Sequence, residues 1–310
     1  MKEQDDLPLF ASDYHVPVLL NEVIEHLQIN PSGTYVDCTF GGGGHSKAIL
    51  QKLGDQGRLV GFDQDADAKQ NLPDDSRVIF VPQNFRHLQR FLRLNGITEV
   101  DGVLADLGVS SYQFDEASRG FSIRYDGALD MRMDQRQEKT AADVLNKYTE
   151  AELHKLFEQY GEVTNSKTLA RTIIEKRRLA PFQTIEAFKD ALFEVVRGNP
   201  NKYFAQVFQA LRMEVNEETD ALKELLEQLP AVLKKGGRAA IITFHSIEDR
   251  WVKIFFRKGT FVTEDENPFI SKEVPSQLML VNKKPIVATS AETKRNPRSR
   301  SAKLRVAEKK

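Results

Sequence analysis

The chain has 310 residues, 40% hydrophobic, 29% charged and 9% aromatic, with 18 glycines and 12 prolines. That balance excludes collagen-like, wholly disordered and disulfide-scaffold classes, and a chain this long buries a core without a metal or disulfide staple. The single cysteine, Cys38, cannot pair internally, no apolar run approaches the roughly 18 residues of a membrane helix, and residues 1–6 lack a signal-peptide pattern. The expectation is a soluble cytoplasmic protein with no membrane partner. The net charge of −1 is unevenly spread. Residues 281–310 hold ten Lys and Arg against two Glu, a net of +8, leaving −9 on the other 280. A basic end on an acidic body suits a polyanionic partner or is a solvated tail.

In chain order, residues 35–39 read as a buried strand followed by a glycine cluster, and 46–53 as a helix closed by Gly54. Residues 58–62 form a second strand ending at Asp63, 78–81 a third, and Leu88, Phe91 and Leu92 mark a helix. Residues 102–105 form a fourth strand ending at Asp106. This alternation predicts βαβ units and a parallel sheet covered on both faces. The next strand is 238–243, far beyond the dozen or so residues a crossover needs. The intervening stretch carries helical signals: a capping box at Thr149 and Glu152, an apolar face at Ile185, Phe188, Leu192 and Val195, and a long pattern from Val207 to Leu229 ending at Pro230. A helical subdomain is expected at 115–205, inserted into a sheet domain of 1–114 and 206–310.

The strongest chemical signal is Asp37-Cys38-Thr39-Phe40-Gly41-Gly42-Gly43-Gly44-His45-Ser46. Glycines between a first strand and a first helix let the backbone approach a ligand and open the helix N-terminus to it. Asp63 stands 19 residues after Gly44, at the second strand's end, where a carboxylate accepts hydrogen bonds from ribose hydroxyls. A nucleoside-containing cofactor follows. The dinucleotide spacing fails, because Ser46 or Lys47 stands where the third glycine belongs. Asp37 would sit badly beside a pyrophosphate and well beside the cationic end of S-adenosylmethionine. Methyl transfer is therefore favoured over hydride transfer, although Thr39 replaces the first glycine of the class I methyltransferase pattern. Asp106 shares the crevice edge with Asp63, and either accepts the N–H bonds of a poorly nucleophilic amine, localising its lone pair for attack on the methyl group, or only touches the cofactor. The Pro-Pro-aromatic motif of amine-directed enzymes is missing after it.

Three other features carry less. Asp63-x-Asp65-x-Asp67 resembles the start of a calcium loop, but Ala68 holds the glycine position, and no metal is required. Cys38 reads as core. His245-Ser246-Ile247-Glu248-Asp249-Arg250 has no Gly-x-Ser-x-Gly context; Ser246 with Asp249 reads as a helix N-cap pair, while His245 could face the crevice.

Seven stretches in order resemble the ribosomal RNA small subunit methyltransferase H family over nearly the whole chain. They are His15-Val16-Pro17-Val18-Leu19-Leu20, Thr39 to Ser46, Asp106-Leu107-Gly108-Val109-Ser110-Ser111, Arg119-Gly120-Phe121-Ser122, Asp126 to Asp134, Phe244 to Arg250 and Asn296 to Arg305. The resemblance implies a Rossmann-like class I methyltransferase sheet with an inserted helical subdomain on the substrate side. It implies S-adenosyl-L-methionine as cofactor, contacted by Gly43, Gly44, His45, Asp63, Phe85, Asp106 and Gln113, with Asp106 a candidate catalytic residue. The implied reaction is methylation of the N(4) amine of a decoding-region cytosine in 16S ribosomal RNA on the assembled small subunit. A homodimer is compatible with this reading. For RNA contact the chain offers Arg171, Lys176, Arg177 and Arg178 in the insertion and Arg295, Arg298 and Arg300 near the end. Arg119 to Ser122 and Met131 to Asp134 either line a base pocket or pack the insertion.

Overall fold

The structure, a computed structural model, describes residues 17–261 and 276–310. His15 and Val16 of the first family stretch, and residues 1–6, lie outside the described residues. Among the described residues two compact units emerge, 17–108 with 221–261 and 276–310, and 109–220. The helical unit is thus wider at both ends than the 115–205 read from the sequence.

The first unit holds α1 (Leu20–Leu27), β1 (Thr34–Asp37), α2 (Gly44–Lys52), β2 (Arg58–Phe62), β3 (Val78–Val81), α3 (Leu88–Leu94) and β4 (Val100–Asp106). The chain then enters the helical unit through α4 (Ser111–Asp115), α5 (Ala141–Lys147), α6 (Glu150–Gln159), α7 (Ser166–Arg177), α8 (Ile185–Leu192) and α9 (Pro200–Val215). It returns by α10 (Glu218–Val232) to β5 (Leu233–Thr243), α11 (Ser246–Lys258), β6 (Leu278–Leu280), β7 (Ile286–Val287), α12 (Ser290–Arg295) and β8 (Lys303–Lys309).

The described strands lie in the order β3-β2-β1-β4-β5-β8-β6, with β7 pairing β8 beside that path. The first five run parallel, and β8 is antiparallel to β5. Because successive strand side chains point to opposite faces, each strand feeds two cores. Val36, Val60, Phe62, Val103 and Ile241 face one, closed by Leu88 and Leu92 of α3, Leu222 to Leu229 of α10 and Phe255 of α11. Tyr35, Leu59, Leu104, Ala240, Ile242 and Leu304 face the other, closed by α1 and α2. Burial on both faces explains why β1 and β2 read as short continuous apolar runs, while β3, at the sheet edge, is only half-buried over Val78–Phe80. Cys38 is buried in the first core, as expected, and burial pushes its thiol well up.

The basic end is not a solvated tail. Leu304, Val306 and Ala307 of β8 are buried, and its cations are engaged: Arg305 and Lys303 on Asp249, Lys309 on the Leu233 carbonyl and Glu99. Seven residues with alternating charge show no apolar run, and the ion pairs that neutralise them come from elsewhere in the chain.

In the helical unit Ser110, Thr140, Thr149, Thr184 and Asn199 each cap a helix with a side-chain oxygen, and Thr149 with Glu152 makes the expected capping box. The single helix expected over 207–229 is two. α9 stops at Asn216, Glu217 takes a left-handed φ of 50°, and α10 runs past Pro230 to Val232. The cause is Asn216, 3% exposed, whose side chain holds a distant loop. Its Oδ1 accepts the Met133 N–H at 2.7 Å and its Nδ2 donates to the Met131 carbonyl at 2.7 Å. Arg119 donates to the carbonyls of Arg132 and Met133 from the other side, and Phe121, Met131 and Met133 are buried in the helical core. These two family stretches pack the insertion. Asn216→Ala strips a buried N–H and a buried carbonyl of their partners, and should lower stability by about 2–4 kcal/mol in urea unfolding.

Candidate cofactor and catalytic site

β2, β1 and β4 are neighbours, and each ends in a carboxylate: Asp63, Asp37 and Asp106. Ligands of open parallel sheets bind outside these carboxyl ends, so this edge is the candidate site. The glycine turn that follows β1 is tied down at both sides. Phe40 N–H donates to the Phe62 carbonyl at 2.9 Å, and Gly41 N–H donates to Asp63 Oδ2 at 2.7 Å. Gly41 and Gly43 take φ of 49° and 73°, which side chains rarely adopt. Gly44 begins α2, and a Cβ there would lie 2.3 Å from Pro17. A Cβ on Gly42 would meet nothing within 4 Å, which marks the open side of the turn.

Asp63 accepts a second N–H, from Asp65, on Oδ1 at 2.8 Å. One donor per oxygen leaves each with a lone pair for a ribose hydroxyl. Burial pushes this carboxyl up to about 7, with the two N–H groups opposing and Asp65 and Asp37 adding. Asp65 spends its side chain on the Asp67 N–H as the cap of a short 3-10 turn, so the calcium-like spacing is a capping arrangement. Phe85, expected as core or as an adenine platform, starts a second 3-10 turn and is half-buried against the core of α3 and α10. A hydrogen bond from Asn84 Nδ2 to Gln64 Oε1, 2.8 Å, holds that turn beside the end of β2.

Asp37 is 1% exposed and accepts three hydrogen bonds, from Thr39 N–H and Oγ1 and from Ser46 Oγ. Burial raises its carboxyl, with His45 and these donors opposing. Thr39, the residue that departs from the general class pattern, also accepts the Asp106 N–H on Oγ1 at 2.7 Å. It therefore joins the ends of β1 and β4, a task glycine could not perform. Asp106 keeps 19% of its side chain exposed, yet its Oδ1 is buried without a hydrogen-bond partner among the described residues. Burial, then the charges of Asp37 and Glu248, hold its carboxyl well above the usual range. Glu248 comes from the first turn of α11, whose cap is His245 rather than the expected Ser246. The His245 side chain accepts the Glu248 N–H, and Asp249 is committed to Arg305. His245 Nε2 lies 3.1 Å from Glu248 Oε1, close enough for an ion pair but without hydrogen-bond alignment.

The edge thus unites Gly43, Gly44, His45, Asp63, Phe85 and Asp106. Gln113 belongs to the helical unit, where its Oε1 accepts the Ser110 N–H and completes the cap of α4. Glu248 was missed as a site residue because its approach to Asp106 depends on β4 pairing with β5. A crowded row of carboxylates with one orphaned oxygen fits a ligand that is cationic, bears hydroxyls and donates hydrogen bonds.

A parallel sheet with a glycine turn after β1, acidic strand ends and a helical insertion after β4 is the Rossmann-like architecture of class I methyltransferases. The MraW methylase family model matches residues 12–310. Proteins named ribosomal RNA small subunit methyltransferase H are similar throughout. The one from Azobacteroides pseudotrichonymphae is 52% identical over 96% of this chain and 97% of its own. That from Parabacteroides distasonis is 52% identical over 100% of both, and that from Bacteroides thetaiotaomicron 51% over 99% of this chain and 100% of its own. The chain belongs to the MraW methylase family.

The raised Asp63 sets a pH dependence. A carboxyl whose folded pKa exceeds its unfolded value favours folding when protonated; that contribution is complete below about pH 4 and lost as pH rises through about 7. Asp63→Asn should therefore lose less melting temperature than wild type between pH 5 and pH 7.5, read by calorimetry.

Proposed function

We propose that this protein methylates the exocyclic N(4) amine of a cytosine in the decoding region of 16S ribosomal RNA, acting on the assembled small subunit. S-adenosyl-L-methionine is the cofactor, and when bound it supplies an electrophilic methyl group on a sulfonium. The observation that carries the reading is the orphaned Asp106 Oδ1 in a row of buried and half-buried carboxylates, within a chain of this family. The glycine turn and the first N–H groups of α2 cradle the amino-acid end, Asp63 receives the ribose hydroxyls, and Phe85 offers its ring to adenine.

An exocyclic base amine is a weak nucleophile because its lone pair is delocalised into the ring. Asp106 Oδ1 accepts an N–H of that amine, localises the pair and holds it in line with the methyl carbon. The surrounding burial that raises the carboxyl also makes it a better proton acceptor.

RNA binding draws on cations that the fold leaves outside. Lys283, Lys284, Lys294, Arg295 and Arg300 are exposed, whereas Lys303, Arg305 and Lys309 are spent within the sheet. In the helical unit Arg171 and Arg178 are exposed and Lys176 is half-buried, but Arg177 donates to the carbonyls of Leu145 and Tyr148 and is structural.

Small subunits lacking the modification, given labelled cofactor, should yield labelled N(4)-methylcytidine on nucleoside analysis, and naked 16S RNA much less. Label on cytosine carbon-5, or on no RNA, would overturn the reading. Asp63→Ala should weaken S-adenosylhomocysteine binding about 10- to 100-fold by calorimetry, the value of one to two hydrogen bonds to a charged acceptor. Arg295→Glu with Arg300→Glu should flatten the salt dependence of RNA binding by about 1–2 in log–log slope, and an unchanged slope would remove these residues from the interface.

A further inference from the structure

The resemblance places His45 among cofactor contacts; within the protein its imidazole lies between the Val18 carbonyl and Asp106. The ring is 6% exposed, and Nε2 lies 3.0 Å from the Val18 carbonyl. A carbonyl only accepts, so Nε2 carries a hydrogen, and a neutral ring is then bare at Nδ1. That nitrogen lies 3.7 Å from Asp106 Oδ2. A proton on Oδ2 would face the lone pair of Nδ1, and burial together with the charges of Asp37 and Glu248 favours the protonated carboxyl.

We propose that His45 is a positioning residue which, anchored by Val18 and aimed at Asp106, forms with it the pair that receives the proton released on amine methylation. The proposal rests on the methyltransferase reading above. The amine nitrogen gains the methyl carbon as the carbon–sulfur bond breaks, its electrons staying on sulfur. The N–H electrons return to nitrogen, and the proton passes to Asp106 Oδ1. The proton on Oδ2 moves to Nδ1, leaving an imidazolium and an Asp106 still carrying one proton; the pair has gained one in all, which it returns to water.

The pieces for this are in place. Thr39 fixes the Asp106 backbone, with Oδ1 buried and without a hydrogen-bond partner among the described residues and Oδ2 toward His45. Asp37 on β1 supplies the negative charge that favours an imidazolium, while burial keeps the resting ring neutral. Asp37 and Glu248, from β1 and α11, also act on Asp106 and oppose a bare carboxylate there. The 3.7 Å separation is long for a hydrogen bond, as catalytic bonds often are before substrate binds.

His45→Gln keeps a donor for Val18 but removes the titrating nitrogen. It should bind S-adenosylhomocysteine within about 2-fold of wild type, keep its KM for the small subunit, and lose about 10- to 100-fold in kcat with a displaced low-pH limb. In the ligand-free protein, nitrogen NMR should find the Nε2–H tautomer of His45, and Asp106→Asn should shift its Nδ1 resonance. A tenfold loss of S-adenosylhomocysteine binding in His45→Gln would return the ring to the cofactor and overturn the proposal, as would a wild-type kcat and pH profile. Should that variant not fold, an Nδ1 resonance unmoved by Asp106→Asn overturns it. Wild-type protein that neither binds S-adenosylhomocysteine nor transfers methyl groups would instead remove the underlying reading.

Discussion

Everything at the functional edge follows from withdrawing three carboxylates, one fully and two in part, from water side by side. Asp63, Asp37 and Asp106 end adjacent parallel strands. A buried carboxylate must find donors, a cation or a proton. Each finds a different answer. Asp37 is saturated by two hydroxyls and an N–H, Asp63 takes two backbone N–H groups, and Asp106 is left with an oxygen that nothing satisfies. The incompleteness rises from Asp37 to Asp106, and so does the opportunity for a ligand.

The glycine turn is best understood from the same constraint. Asp63 Oδ2 needs the Gly41 N–H, which pulls the turn against the end of β2 and forces left-handed backbone at Gly41 and Gly43. Thr39 then does for β1 and β4 what Asp63 does for β1 and β2. A hydroxyl that both donates and accepts is required there, since it must satisfy a carboxylate and an N–H at once. Departure from the general glycine pattern is thus a structural adaptation to carrying Asp106 on the next strand.

The helical unit obeys ordinary rules of capping and amphipathic packing, with one exception. Asn216 interrupts what would otherwise be a single helix so that its side chain can order the loop carrying Met131 and Met133. Met131 sits there with a φ of 61° and no exposure, a conformation tolerable only because hydrogen bonds on both sides hold its neighbours.

Periodicity by itself determined β1 to β4, the core of β5, and the helices of the insertion marked by apolar faces, because alternation and helical spacing are local records of which face is buried. It also placed Asp63 and Asp106 at strand ends, since a parallel strand's carboxyl end is written in the chain direction. Tertiary structure alone decided the rest. β8 became a strand within the sheet because its charges are neutralised by Asp249 and Glu99, distant in sequence, and the break at Asn216 exists for a loop some eighty residues earlier. The direction of the His45 ring likewise depends on Val18 and Asp106 converging on it from either side. Hydrogen bonds and ion pairs between remote residues leave no periodic trace, so their consequences enter only when the chain has closed on itself.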